Sequence, residues 1–257
     1  MWIIIILLII TQLYILGEKG GIGPLKFLRQ RKLSKLEGNS PAYDFSLIRT
    51  SEDDRFKDKT LFILGSSVSR GEASMDEALG EYLAKRYSMK LIKETVSGTC
   101  LAGEDPSSYV NRLKRHNNSE ETADLFLCQL STNDIRKTKE IGKISDSEEL
   151  SAFDTKTIAG AMEYIIAYVR KEWNCPIFFY TNSYLGSEKY EEMIDLLYQL
   201  KEKWQIHVID LYHDEEFNDR KKDLYMADRV HPTKAGYRDW WGPETEKQIL
   251  SCLNGEK

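Results

Sequence analysis

The chain has 257 residues, 41% hydrophobic and 30% charged, which is the balance of an ordinary globular protein and enough length for one large α/β domain with a full core. A net charge of −5, with no basic stripe interleaved with aromatics, argues against nucleic acid as the main partner. The four cysteines, Cys100, Cys128, Cys175 and Cys252, form no Cys-x-x-Cys pair, which argues against a structural zinc site and a disulfide framework.

Residues 1–17 are a largely Ile/Leu run broken by Thr11 and Gln12. At helical rise they span roughly 25 Å, close to a hydrocarbon core. No Lys or Arg precedes residue 19, and no small-residue cleavage site follows. These features favour an uncleaved single-pass anchor over a secretory signal, which stays the alternative. The basic flank, Lys19, Lys26, Arg29, Arg31, Lys32 and Lys35, would place the domain on the cytoplasmic side by the positive-inside rule. One short segment can override that rule, so the orientation stays open. Residues 18–57 read as a juxtamembrane linker, with a breaker cluster at 20–24 and a short basic amphipathic helix over 25–36.

From residue 58 to 257 strand and helix patterns alternate. Strands are expected at 61–64, 90–96, 125–130, 176–180 and 206–211. Helices are expected at 75–87, 109–114, 157–173, 190–204 and 233–253. Strands separated by helices imply a parallel sheet of about five strands covered on both faces.

Chemistry-bearing residues cluster after these strands. The run Leu61-Phe62-Ile63-Leu64-Gly65 ends at Ser66, Ser67 and Ser69. Ligands of open α/β sheets gather at such carboxyl ends. A serine hydroxyl needs a base to become a nucleophile. The spacing Asp228-x-x-His231-Pro232 offers one, with a carboxylate to fix the tautomer. Acyl transfer also needs donors for a developing oxyanion. Gly98, in Ser97-Gly98-Thr99, lets a backbone N–H come close; Asn133, in Ser131-Thr132-Asn133-Asp134, can donate directly. His116, His207 and His213 lie in charged or strand-edge settings and read as surface residues. The aromatics Tyr237, Trp240 and Trp241 read as core of the last helix, with a pocket wall as the alternative.

Together these four blocks resemble the SGNH/GDSL hydrolase superfamily, including its lysophospholipase-L1-like esterases. Leu64-Gly65-Ser66-Ser67 looks like the first block, with Ser67 at the nucleophile position. Gly98 matches the second-block glycine, Asn133 the third-block asparagine, and Asp228 and His231 the last block. Two residues depart from the pattern: Ser66 stands for the usual Asp and Ser131 for the usual Gly. The resemblance implies a flavodoxin-like three-layer α/β/α sandwich. It implies ester hydrolysis by catalytic Ser67, His231 and Asp228, without metal or cofactor. The oxyanion hole would be the Ser67 N–H, the Gly98 N–H and the Asn133 side chain. Transfer of the acyl group to a sugar or lipid hydroxyl, and a non-catalytic binding module on the same fold, are the competing readings. Lipid and acetylated-glycan esters are both open as substrates.

Overall fold

The computed structural model describes residues 26–116 and 121–255. The anchor expected at 1–17 lies outside the described residues. Among the described residues no helix is long and apolar enough to cross a membrane.

In chain order the elements are α1 (Lys26–Leu33), β1 (Thr60–Gly65), α2 (Ser67–Arg70), α3 (Leu79–Tyr87), β2 (Lys90–Thr95) and α4 (Tyr109–Leu113). They continue as β3 (Leu125–Gln129), α5 (Asn133–Arg136), α6 (Ile158–Glu172), β4 (Ile177–Tyr180), α7 (Glu188–Trp204) and β5 (His207–Ile209). The chain closes with α8 (Glu215–Asp219), α9 (Lys234–Gly236), a wide π turn (Tyr237–Trp241) and α10 (Gly242–Gly255).

The strands form one parallel sheet in the order β2-β1-β3-β4-β5. Every residue of β3 and β4 is buried, as continuous apolar runs covered on both faces require. Alternation splits each run between two cores. Phe62, Leu64, Phe126 and Phe179 face α4, α6 and α7, whereas Leu61, Ile63, Leu127 and Phe178 face α3 and α10. The expected three-layer α/β/α sandwich is therefore present. β2 is an edge strand and carries its charge there: Lys93 Nζ donates to Glu81 at 2.6 Å.

Two helices differ from expectation. The helix expected from residue 75 starts at Leu79, because Met75 and Asp76 have φ of 58° and 62° and turn the chain before it. The last helix, expected as one piece over 233–253, is three: α9, the π turn and α10. Trp240 and Trp241 are both buried in the π turn, with Trp240 stacked on Phe217 at 4.4 Å. They are core, and they do not wall the cleft described below.

Part of the 18–57 stretch packs on the domain. Phe45 is fully buried among the α3 and α10 core residues. Asn39 Nδ2 donates to the Ala73 carbonyl (2.7 Å), and its Oδ1 accepts from the Lys234 N–H (2.9 Å). One side chain thus ties the turn after α2 to the start of α9.

Candidate active site

The strand order reverses between β1 and β3, and the crevice at their carboxyl ends is where this topology holds ligands. β1 leaves the sheet at Gly65 and turns through Ser66 directly into α2, whose first residue is Ser67. A Cβ on Gly65 would lie 1.8 Å from Ser69 Oγ, so only glycine permits so sharp a turn.

Gln129, the last residue of β3, holds this turn. Its Oε1 accepts from Ser66 N–H (2.9 Å), Ser66 Oγ (3.2 Å), Ser69 N–H (3.2 Å) and Ser69 Oγ (2.9 Å). Ser69 Oγ also meets the Tyr180 hydroxyl at 2.5 Å. Ser66 thus serves a buried neutral network where the family pattern has an aspartate. Behind it, Arg112 is fully buried and donates to three carbonyls: Gly65 (2.7 Å), Glu94 (2.6 Å) and Ser107 (3.0 Å). Its guanidinium therefore clamps the carboxyl ends of β1 and β2 together, with the Glu94 carboxylate at 3.0 Å for its charge.

The last block arrives from the loop before α9. His231 Nδ1 lies 2.8 and 2.9 Å from the two Asp228 oxygens, and His231 Nε2 lies 2.8 Å from Ser67 Oγ. An ionised carboxylate only accepts, so Nδ1 carries the proton and Nε2 is free to accept from the serine hydroxyl. Asp228 also accepts the N–H groups of Val230 and His231, both at 2.8 Å. Partial burial works to raise its pKa, but these hydrogen bonds and the charge of His231 prevail and hold it down to about 2. Pro232 precedes Thr233, whose hydroxyl caps α9 by accepting from Gly236 N–H at 3.2 Å.

Gly98 and Asn133 come to the same end of the sheet. Gly98 has φ of +77° with nothing within 4 Å of where a Cβ would sit, so space is open beside its backbone. Asn133 opens α5 and is buried; its Nδ2 donates to the Thr99 carbonyl at 3.0 Å. A primary amide has two N–H groups, so one is left for a substrate. The buried Asp134 carboxylate accepts from Leu101 and Ala102 N–H (2.8 and 3.1 Å) and so fixes the loop after Gly98. Burial raises its pKa against the pull of those bonds. Glu72 takes the Ser97 hydroxyl on one oxygen and Arg29 of α1 on the other.

Ser67, Asn133 and His231 open onto a cleft of about 380 Å³. Thr132, Ile135 and Arg136 line it, as do Leu185, Arg229 and Val230. Among the described residues no cluster of three His, Cys, Asp or Glu could hold a metal ion. His213 is about half exposed; His116 is mostly covered and joins Glu94 and Glu121. Sequence reasoning missed Gln129 and Arg112, although a glutamine inside Leu125-Phe126-Leu127-Cys128-Gln129-Leu130 is itself a signal, since a buried polar group must have partners.

Residues 63–238 match the family described as GDSL-like Lipase/Acylhydrolase. Among solved structures, a protein of Lactobacillus plantarum aligns with a TM-score of 0.60 at 17% identity, covering 78% of this chain and 99% of that one. A structure described as a GDSL-like lipase from Bacteroides ovatus aligns with 0.58 at 18%, covering 75% and 98%. Another so described, from Bacteroides uniformis, aligns with 0.56 at 19%, covering 76% and 96%. At these identities the likeness is one of fold. No curated protein matches the sequence.

Proposed function

Because the chain belongs to the GDSL-like lipase/acylhydrolase family and is an esterase of that class, we propose that it cleaves carboxylic esters through an acyl-enzyme on Ser67. The observation that carries this reading is the continuous hydrogen-bonded line from Asp228 through His231 to Ser67 Oγ. In the first step Ser67 Oγ attacks the ester carbonyl carbon while its proton passes to His231 Nε2. The imidazolium so formed is stabilised by Asp228, which stays ionised. The carbonyl oxygen becomes an oxyanion facing the Ser67 and Gly98 N–H groups and the spare N–H of Asn133. Collapse breaks the bond to the alcohol, which leaves with the proton from His231. Water then attacks the acyl carbon while giving a proton to His231; the bond to Ser67 Oγ breaks, His231 returns the proton to Oγ, and the acid leaves.

The test is Ser67→Ala assayed on 4-nitrophenyl acetate, with fluorophosphonate labelling of the unaltered protein. The activity should fall about 10⁴-fold or more, and the label should sit on Ser67. An unchanged rate would sink the assignment. The composition of residues 1–17 supports a single membrane anchor, and a topology reporter fused to the C-terminus would show on which side the ester is met.

A further inference from the structure

The chain is acidic overall, with a net charge of −5. Its cleft is the reverse. The charged side chains lining it beside Ser67 and His231 are Arg136 and Arg229, and no carboxylate lines it. Both guanidinium groups are steered by neutral acceptors. Arg136 donates to Asn133 Oδ1 at 3.2 Å, and Arg229 donates to the Leu185 carbonyl. Among the described residues neither forms an ion pair, so neither charge is neutralised from within. The nearest carboxylate in sequence, Asp228, is engaged by His231 and two backbone N–H groups.

We propose that Arg136 and Arg229 form an anion-recognition subsite, and that the ester substrate carries an oxyanion, a carboxylate or a phosphate, on its alcohol portion. This rests on the Ser67 esterase reading. Three observations carry it to the alcohol. The leaving oxygen must take its proton from His231 Nε2, so the alcohol lies on the His231 side of Ser67. Arg229 lies two residues before His231 in the same loop and lines the same cleft. Arg229 is exposed, and its hydrogen bond to the Leu185 carbonyl ties it to another residue of the cleft lining. A planar guanidinium with unused N–H groups matches a carboxylate or phosphate in two-point geometry. Arg136, bonded to Asn133 Oδ1, brings a second guanidinium to the same cleft. A further cation stands near: Lys221 is held below its usual range by burial and by the charge of Arg229.

The test compares acetate esters of phenols that differ in charge: 4-nitrophenyl acetate, 4-acetoxybenzoate, 4-acetoxyphenyl phosphate and 4-acetoxy-N,N,N-trimethylanilinium. For the full chain, Arg229→Gln should lower kcat/KM on an anionic ester roughly tenfold more than on the neutral one. Arg136→Gln with Arg229→Gln should widen that ratio, and Arg229→Lys should restore part of it. Arg229→Glu should shift preference toward the cationic ester. Rising KCl should slow the anionic esters selectively. A larger effect on the carboxylate ester indicates an acidic sugar or acid as the natural alcohol; a larger effect on the phosphate ester indicates a phosphorylated one. Equal changes on anionic, neutral and cationic esters would overturn the proposal. Binding of 4-acetoxybenzoate and the cationic ester to Ser67→Ala protein, measured by titration, separates the two readings. Anion preference that needs both arginines, in a protein that turns over no ester, would sink the esterase assignment and leave the subsite standing.

Discussion

The molecule contains two Asp-x-x-His pairs of the same local build. Asp228 holds His231 Nδ1 at 2.8 Å, and Asp210 holds His213 Nδ1 at 2.8 Å. What differs is the far nitrogen. His231 Nε2 meets the Ser67 hydroxyl at 2.8 Å, whereas His213 Nε2 meets the Glu191 carboxylate at 2.6 Å. Carboxylates only accept, so His213 must donate from both nitrogens and is held as an imidazolium. Partial burial works to lower its pKa, but hydrogen bonds to Asp210 and Glu191 prevail and raise it. A histidine already protonated on both sides cannot take a proton. The three-residue spacing therefore makes an oriented imidazole, and the third partner decides whether its far nitrogen can accept a proton.

Exchanging or deleting members of the two pairs should separate them. The largest effect is expected from the histidines: His231→Ala should cut esterase kcat about 10⁴-fold or more. His213→Ala should leave it within about twofold, as surface changes away from the reaction do. Comparable losses from both would erase the distinction. Among the acids, Asp228→Asn should cost about 10⁴-fold by favouring the wrong tautomer, with no matching loss from Asp210→Asn. Asn133→Ala, which touches neither pair, should cost about 10²–10³-fold through the oxyanion alone. The smallest difference is one of pH. A raised pKa means that His213 contributes stability fully below its unfolded value, near 6.5, and loses it as pH rises through the folded value. Thermal unfolding of wild type and His213→Gln should thus differ most near pH 6 and converge at alkaline pH. For Asp228, lowered from 3.8 to about 2, the sign is opposite. Its contribution is present above 3.8 and lost as pH falls through 2, so an Asp228→Asn difference in stability should vanish only in strong acid.

The same contrast shows how much was legible beforehand. Ser67, Gly98, Asn133, Asp228 and His231 each sit in a short motif that is weak alone and becomes legible as one of four in order, and the structure places them at one end of the sheet. Strand positions were legible because each is an apolar run bounded by turn residues. Gln129 and Arg112 were not, because their roles come from strand order. Gln129 meets the turn after β1 only because β3 pairs with β1 in the register Leu64↔Cys128, which sets Gln129 beside Gly65. Arg112 reaches Gly65 and Glu94 only because β1 and β2 are neighbours. Nor does Asp210-Leu211-Tyr212-His213 differ from the other pair in spacing; Glu191, on α7, decides its fate from 22 residues away. Helix limits failed where residues with positive φ turn the chain, as at Met75 and Asp76, or where a π turn widens it.

Ser67 and His231 touch across 164 residues of chain. At about 5–20 residues per second of synthesis, Ser67 is joined to the chain roughly 8–33 s before His231 is. Throughout that interval the nascent polypeptide carries an ordinary alcohol. The Asp228–His231–Ser67 line therefore exists only after the closing loop is made, and any chemistry that depends on it is silent during synthesis.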